Sequence, residues 1–438
     1  MQLLDRRRYA SYRSLLSNAD FRRWFWSSLG SSLGDWVGLF ALQVLIVSLA
    51  EPGSRLALFG LGGIMMARLL PSVVFGPVAG VVADRYNRKR LLITCDVARA
   101  ALFVGIAFSR DVWALFALTV IVESLSLLYL SAKNAVLPAI VDDDDLTEAN
   151  QLTLLITYGP LPFGAAVAAL LSWLSGVLAR TDVVQIDGTT GALLLNAATF
   201  AIAGLLLVRL RSVGGSRERD EEDADTGAVQ QIKDGIAFIR DRQVVRSLIL
   251  GVIGVFFGAG IIITLGPEFV RSDLGKSESD WYGLMTTVGF GLLLGIAATP
   301  VLNQRLSNRT IFPVALIVAA LAATGTAVVP SFPVVQAVGF VMGALAGVSF
   351  VSGFTLLHET TDDQARGRTF ATFFTGTRIS MFAALGFGPF LAGAIGRWTV
   401  GIGGADVTVS GVRLTIVLGG LVALVSAVVS GRGMLKDR

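Results

Sequence analysis

The chain has one cysteine, Cys95, and one histidine, His358, in 438 residues. A lone cysteine excludes an internal disulfide framework and a cysteine metal site. A lone histidine excludes a multi-histidine centre, so no metal and no cofactor is expected. Charge is scarce too: 16% of residues are Asp, Glu, Lys or Arg, against about a quarter in an ordinary soluble domain. The formal net charge of +4 is modest, and no nucleic-acid partner is expected. No G-x-x-x-x-G-K-S/T loop occurs, so an ATP-driven motor is not supported. No nucleophile–base constellation is visible, and an enzyme is not expected. Long polar stretches are also rare; the main one is Arg211–Arg242.

What fills the chain is apolar: 53% of residues are hydrophobic and the mean hydropathy is +0.69. A soluble chain of this length needs more surface charge, so the excess has to face lipid. Runs of about 18 or more apolar residues read as membrane-spanning helices. Twelve are read here: Trp24–Leu49, Leu56–Val82, Leu91–Phe108, Val112–Val136, Leu152–Leu178, Leu193–Val208, Leu248–Val270, Tyr282–Leu302, Ile311–Val329, Val334–Leu357, Phe370–Ile395 and Leu414–Val429. The expected fold class is an all-α membrane protein. Its two six-helix halves, 1–210 and 243–438, flank a cytoplasmic linker, 211–242. In that linker "SRERDEEDAD" reads as flexible. Val229, Ile232, Ile236 and Ile239 recur at helical spacing and suggest an amphipathic helix on the membrane surface.

No cleavable signal peptide is read, because the first run is too long and no small-residue cleavage site follows. Basic residues cluster at the N-terminus, in 85–90, in the linker, at Arg305/Arg309, at Arg366/Arg368 and at the C-terminus. The alternate segments hold only Arg55, Arg110, Arg180, Arg271, Lys276, Arg397 and Arg413. The positive-inside rule then puts both termini in the cytoplasm. A shift of about 220 residues lays "LPAIVDDDDLTEAN" on "LHETTDDQARGRTF" and "DRYNRKR" on "QRLSNRT", a weak repeat of the kind found in transporters with parallel halves.

The stretch "GVVADRYNRKR", Gly80 to Arg90, places a dense charge cluster between two apolar runs. This cluster and the architecture resemble the major facilitator superfamily, whose signature between helices two and three is a Gly, then Asp-Arg, then basic residues. Here these are Gly80, Asp84, Arg85, Arg88, Lys89 and Arg90, with Asn87 where the family usually has Gly. "NADFRRWFWSSLGSSLGDW", "RLLPSVVFGPVAGVVADR", "AVLPAIV", "LTEANQL" and "ARGRTFA" resemble its macrolide-efflux and enterobactin-exporter branch. The resemblance implies a secondary transporter in the cell membrane. It would act as a monomer among lipids and export an amphipathic drug or metabolite against protons. A siderophore exporter, a lipid translocator and a non-transporting sensor remain as alternatives. It also implies a cytoplasmic gate. Asp84 would meet the start of helix eleven beside Arg366 and Arg368, where dipole and free amides favour a carboxylate. The alternative is a cluster that only sets topology. "TYGPLPFGAA" loosely matches the antiporter motif of helix five.

Three ionisable residues fall near the middle of their runs: Asp35, Arg68 and Glu123, all in the first half. Charge there is costly and calls for a function or a partner. A carboxyl group whose exposure alternates between water and a low-dielectric cavity can exchange a proton, with Arg68 holding one acid ionised. One Arg against two acids leaves one acid over, and Asp35, within Gly30, Gly34 and Gly38, is the first candidate. A static salt bridge from Arg68 to either acid is the alternative. Asp96 and Arg99 sit three apart on helix three and read as gate support or as a structural pair. A cavity between the halves is expected to use Asp35, Gln43, Glu123, Thr264 and Gln336, with Arg378 facing it or snorkelling. Gly339, Gly343 and Gly347 read as a packing face, His358 as a surface residue, and "DLTE" as a helix-start box.

Overall fold

The computed structural model describes residues 13–142, 145–179, 186–210, 242–277, 279–361, 363–402 and 405–435. The linker, its expected amphipathic helix and most of the acidic run's middle lie outside them. Among the described residues, twelve helical segments are long and apolar enough to cross a membrane. In chain order the elements are α1 (Ala19–Ser48), α2 (Arg55–Arg85), α3 (Arg88–Phe108), α4 (Val112–Ile140), α5 (Leu146–Tyr158), α6 (Leu161–Leu178) and α7 (Gly188–Val208). There follow α8 (Gln243–Glu268) with a π-helical turn (Phe269–Asp273), α9 (Asp280–Leu302), α10 (Asn308–Val328), α11 (Phe332–Thr360), α12 (Asp363–Ile395), β1 (Arg397–Ile402), β2 (Ala405–Ser410) and α13 (Gly411–Leu435). The fifth span is α5 plus α6, broken at Gly159–Pro160, where Pro supplies no N–H to continue the ladder.

Local chemistry sets several starts. Asn18 caps α1 by accepting from the N–H groups of Asp20 and Phe21. Asp111 caps α4 through Ala114 N–H at 2.7 Å, and Asp187 caps α7 through Thr190 N–H at 2.8 Å. Asn87, the departure from the family Gly, caps α3 by accepting from Arg90 N–H at 3.1 Å. The "DLTE" box is not formed. Asp145 has helical backbone angles, φ −100° and ψ −1°, and makes no side-chain cap bond. A side chain reaches the first-turn amides from extended backbone, and Asp145 lacks it.

The described chain forms two units. One holds 1–49 and 67–218, the other 50–66 and 219–438. In the first, α1 packs on α7 and on α6, and α3 packs on α7 and α4. In the second, α8 packs on α13 and α12, and α10 packs on α13 and α11. These are the same pairings one repeat later, so the two halves share a packing plan that the sequence shows only faintly. Each unit has its own apolar core. One is built around Phe21, Trp24, Leu92 and Val136, the other around Leu248, Phe312, Leu316 and Leu356. The antiparallel pair β1–β2, with Arg397 opposite Ser410, joins α12 to α13 and is an addition to the expected all-helical plan.

Glycine does the close packing. A Cβ at Gly34 or Gly38 would strike Asn196 of α7, and one at Gly343 would strike the Val288 carbonyl of α9. Gly30, at the end of the same stripe, has nothing within 4 Å.

Candidate functional site

The first unit gathers its charge along facing surfaces of α1, α2, α3 and α4. α4 runs antiparallel to α1, so Glu123, Ser126, Tyr129 and Lys133, spaced by three or four, descend one face of α4. Trp24, Ser27, Ser31 and Asp35 ascend one face of α1 in the same manner.

The middle layer is Asp35, Arg68 and Glu123. Arg68 Nη2 pairs with Glu123 Oε1 at 3.0 Å, with both side chains about one-sixth exposed. Asp35 makes no ion pair among the described residues. It lies in the electrostatic field of Arg99, Arg68 and Lys133. Of the two partners the sequence allowed Arg68, the fold selects Glu123, and Asp35 is the acid left over.

The layer below is sealed. Asp96 and Arg99 form an ion pair and are fully buried. The Arg99 guanidinium also donates to Ser31 and to Ser126, each at 3.4 Å. It lies 4.2 Å from the ring centres of both Tyr129 and Phe200. Asp96 and Arg99 therefore face α1, α4 and α7 in the interior of the unit. Their spacing puts them on the α3 face that packs inward, and the loop lies beyond the start of that helix. Lys133, which the sequence reading passed over, is buried with its ammonium 5.6 Å from the Trp24 ring centre. The only signal for it was a Lys inside the fourth run, three residues before its end.

Among the remaining residues, Gln43 and Thr264 are fully buried, and the Thr264 hydroxyl donates to Gly260 O of its own helix at 2.8 Å. A Thr hydroxyl in a span satisfies itself on the preceding turn. Gln336 is half-buried on α11 and Arg378 exposed on α12. His358 is exposed, with Nδ1 2.9 Å from Phe354 O, as a surface residue would be. The side chains of Gly80, Asp84, Arg85, Arg366 and Arg368 lie outside the described residues. Arg88 donates to Ala135 O at 3.2 Å, and Lys89 to Leu210 O at 2.7 Å. The described part of the loop thus ties the ends of α4 and α7 to the start of α3, with Arg90 exposed beside them.

Chemically, the unit presents a paired Arg and Glu beside an unpaired Asp at mid-span, above a closed polar layer. Such a set can bind and release a cation or a proton without dismantling the Asp96–Arg99 pair beneath it.

A family model described as Major Facilitator Superfamily matches residues 25–303 and 248–432. The uncharacterised MFS-type transporter YfiS of Bacillus subtilis (strain 168) is 24% identical over 377 residues, covering 84% of this chain and 85% of that protein. Macrolide efflux protein A of Enterococcus faecalis is 28% identical over 191 residues, 41% of this chain and 53% of that protein. The putative bacilysin exporter BacE of Bacillus subtilis (strain 168) is 24% identical, covering 61% and 62%. Among solved structures, a bacterial homologue of the human lysosomal transporter Spinster, inward-facing and unoccupied, superposes with a TM-score of 0.69 at 14% identity. That match covers 96% of this chain and 98% of the other. The nucleoside transporter NupG gives 0.66 at 15% identity, covering 96% and 100%.

Proposed function

The chain belongs to the major facilitator superfamily, and from that premise we propose that it exports amphipathic small molecules in exchange for protons. The observation that carries the proton part is the division of charge at mid-span. Arg68 is committed to Glu123, and Asp35 is left without an ion pair among the described residues. An unpaired carboxylate in a membrane interior is costly, and a site that binds protons and cationic or polar substrates in turn has a use for it. The export part is supported by the likeness to macrolide efflux protein A and to the bacilysin exporter. The latter favours a second reading, export of a secreted metabolite by the same exchange.

In this reading Asp35 carries the proton, and Arg68 holds Glu123 ionised until substrate or a conformational change parts them. Gln336 and Arg378 are the remaining polar candidates for substrate. Gly80, Asp84, Arg85, Arg88 and Arg90 form a cytoplasmic gate with Arg366 and Arg368. The site is the cell membrane, with both termini in the cytoplasm.

The test is uptake of a panel of macrolides, dyes, peptides and siderophores into proteoliposomes under an imposed pH gradient. Gradient-driven uptake by the wild type, lost in Asp35→Asn, is the expected result. Equal uptake by Asp35→Asn overturns the role given to Asp35. A wild type that moves nothing in the panel under any gradient overturns the substrate class.

A further inference from the structure

The second unit holds a buried acid that plays no part in the mid-span set. Glu268 is the last residue of α8, following Pro267, where the helix passes into its π-helical turn. It is fully buried. One carboxyl oxygen, Oε1, accepts the backbone N–H of Gly53, while Oε2 is sealed without a hydrogen-bond partner. Gly53 has φ of 73°, a region glycine enters at little cost. The α1–α2 turn can therefore aim that N–H at α8.

Around this bond the end of α8 is a fixed frame. Ser272 Oγ donates to Glu268 O at 2.8 Å. Asp273 accepts from Ser410 Oγ at 2.9 Å and from Arg413 Nε at 3.3 Å, and pairs with Arg397 at 3.5 Å. Arg397 also donates to Ser272 O at 2.7 Å, and Arg413 to Ala327 O at 2.8 Å. The π-helical turn, the β-hairpin, α10 and α13 are thus tied together. Gly53 N–H to Glu268 is a hydrogen bond from the α1–α2 turn to that frame. From this turn α2 starts within the second unit, with Phe59 6.3 Å from Phe390 between ring centres. From residue 67 onward it belongs to the first.

A carboxylate is a poor choice for permanent stability here. It gives up its hydration for one backbone N–H, with Arg271 and Ser272 as the groups acting on it, and leaves its second oxygen sealed without a hydrogen bond. The same group is well served by water once exposed. That is the property of a bond meant to be broken: hydration favours the released state, and packing with the hydrogen bond favours the held one.

We infer that Glu268 is a catch for the α1–α2 turn, holding the first turns of α2 within the second unit, and that its release is a step of the transport cycle. The inference rests on the transporter reading but is independent of substrate and of proton coupling. Glu268 acts as a positioning residue.

The test reads accessibility. Native Cys95 is buried, so introduced cysteines report without background. Leu58 is buried on α2, and Lys276 is exposed after the π-helical turn. Leu58→Cys and Lys276→Cys are labelled with an impermeant maleimide from the face opposite the termini. Each is compared in wild type, Glu268→Met and Glu268→Gln. Met removes the acceptor at similar volume, and Gln keeps it. The expected result is about a tenfold faster labelling of Leu58→Cys in Glu268→Met, the scale of one buried hydrogen bond. Glu268→Gln should stay near wild type, and Lys276→Cys should not change. Wild-type labelling in Glu268→Met overturns the catch, as does Glu268→Gln labelling as fast as Met. Acceleration at both reporters also overturns it, since that signals general loosening. No transport is measured, so a failed substrate panel leaves this result readable.

Discussion

At the scale of residues, two ion pairs within the spans of the first unit differ in kind. Arg68–Glu123 is partly open, whereas Asp96–Arg99 is closed off and shared with Ser31, Ser126, Tyr129 and Phe200. Removing one partner of a sealed pair leaves an uncompensated charge, a loss of about 3–5 kcal/mol. Arg99→Met and Asp96→Asn should each lower thermal stability in detergent by that order, and the double variant should recover most of the loss. A double-mutant cycle by melting checks this, and additive losses would mean the pair is not coupled. The charges themselves were legible: Asp35, Arg68 and Glu123 stand out because their neighbours are apolar. Their pairing was not, because Arg68 has both acids within the sequence-allowed range and only the rotation of α2 and α4 chooses between them. Lys133 and Glu268 escaped for another reason. Each lies near the end of a run, where a charged residue reads as an interfacial one.

At the scale of elements, glycine stripes look alike in sequence and differ in what they meet. Gly343 lies against the Val288 carbonyl, while Gly30 has open space. Gly343→Ala should destabilise by about 1–3 kcal/mol, the range for overpacking. Gly30→Ala should be neutral, or stabilising by up to about 1 kcal/mol through helix propensity. Melting temperatures of the two purified variants decide it, and equal shifts would refute the packing difference. The runs located the spans because apolar length is a one-dimensional property. Boundaries and additions depended on finer chemistry. Asn87 caps α3 and does not merely replace a Gly. Asp145 fails as a cap because of its backbone angles. The β1–β2 hairpin sits in a stretch too short and too polar to register against twelve long apolar runs.

At the scale of the molecule, the shared pairings of α1, α3, α4 and α7 with α8, α10, α11 and α13 put the repeat beyond what identity by eye could carry. An even number of spans would bring the termini to one face, and the basic segments predict that this face is cytoplasmic. A fluorescent protein fused to the C-terminus should therefore glow, and a periplasmic phosphatase in the same place should be silent. The opposite pattern would invert the orientation. The whole-molecule plan was the most legible level, since hydropathy and charge asymmetry act over hundreds of residues. Substrate was the least, because a few side chains decide it.

The allocation of residues 50–66 to the second unit has a consequence for how the polypeptide is assembled. The two repeats are not separable cassettes. The earlier one donates a segment that completes the later one, much as exchanged arms complete a swapped dimer, here within one chain. A fragment beginning at the linker lacks the piece that covers Pro389 and Phe390.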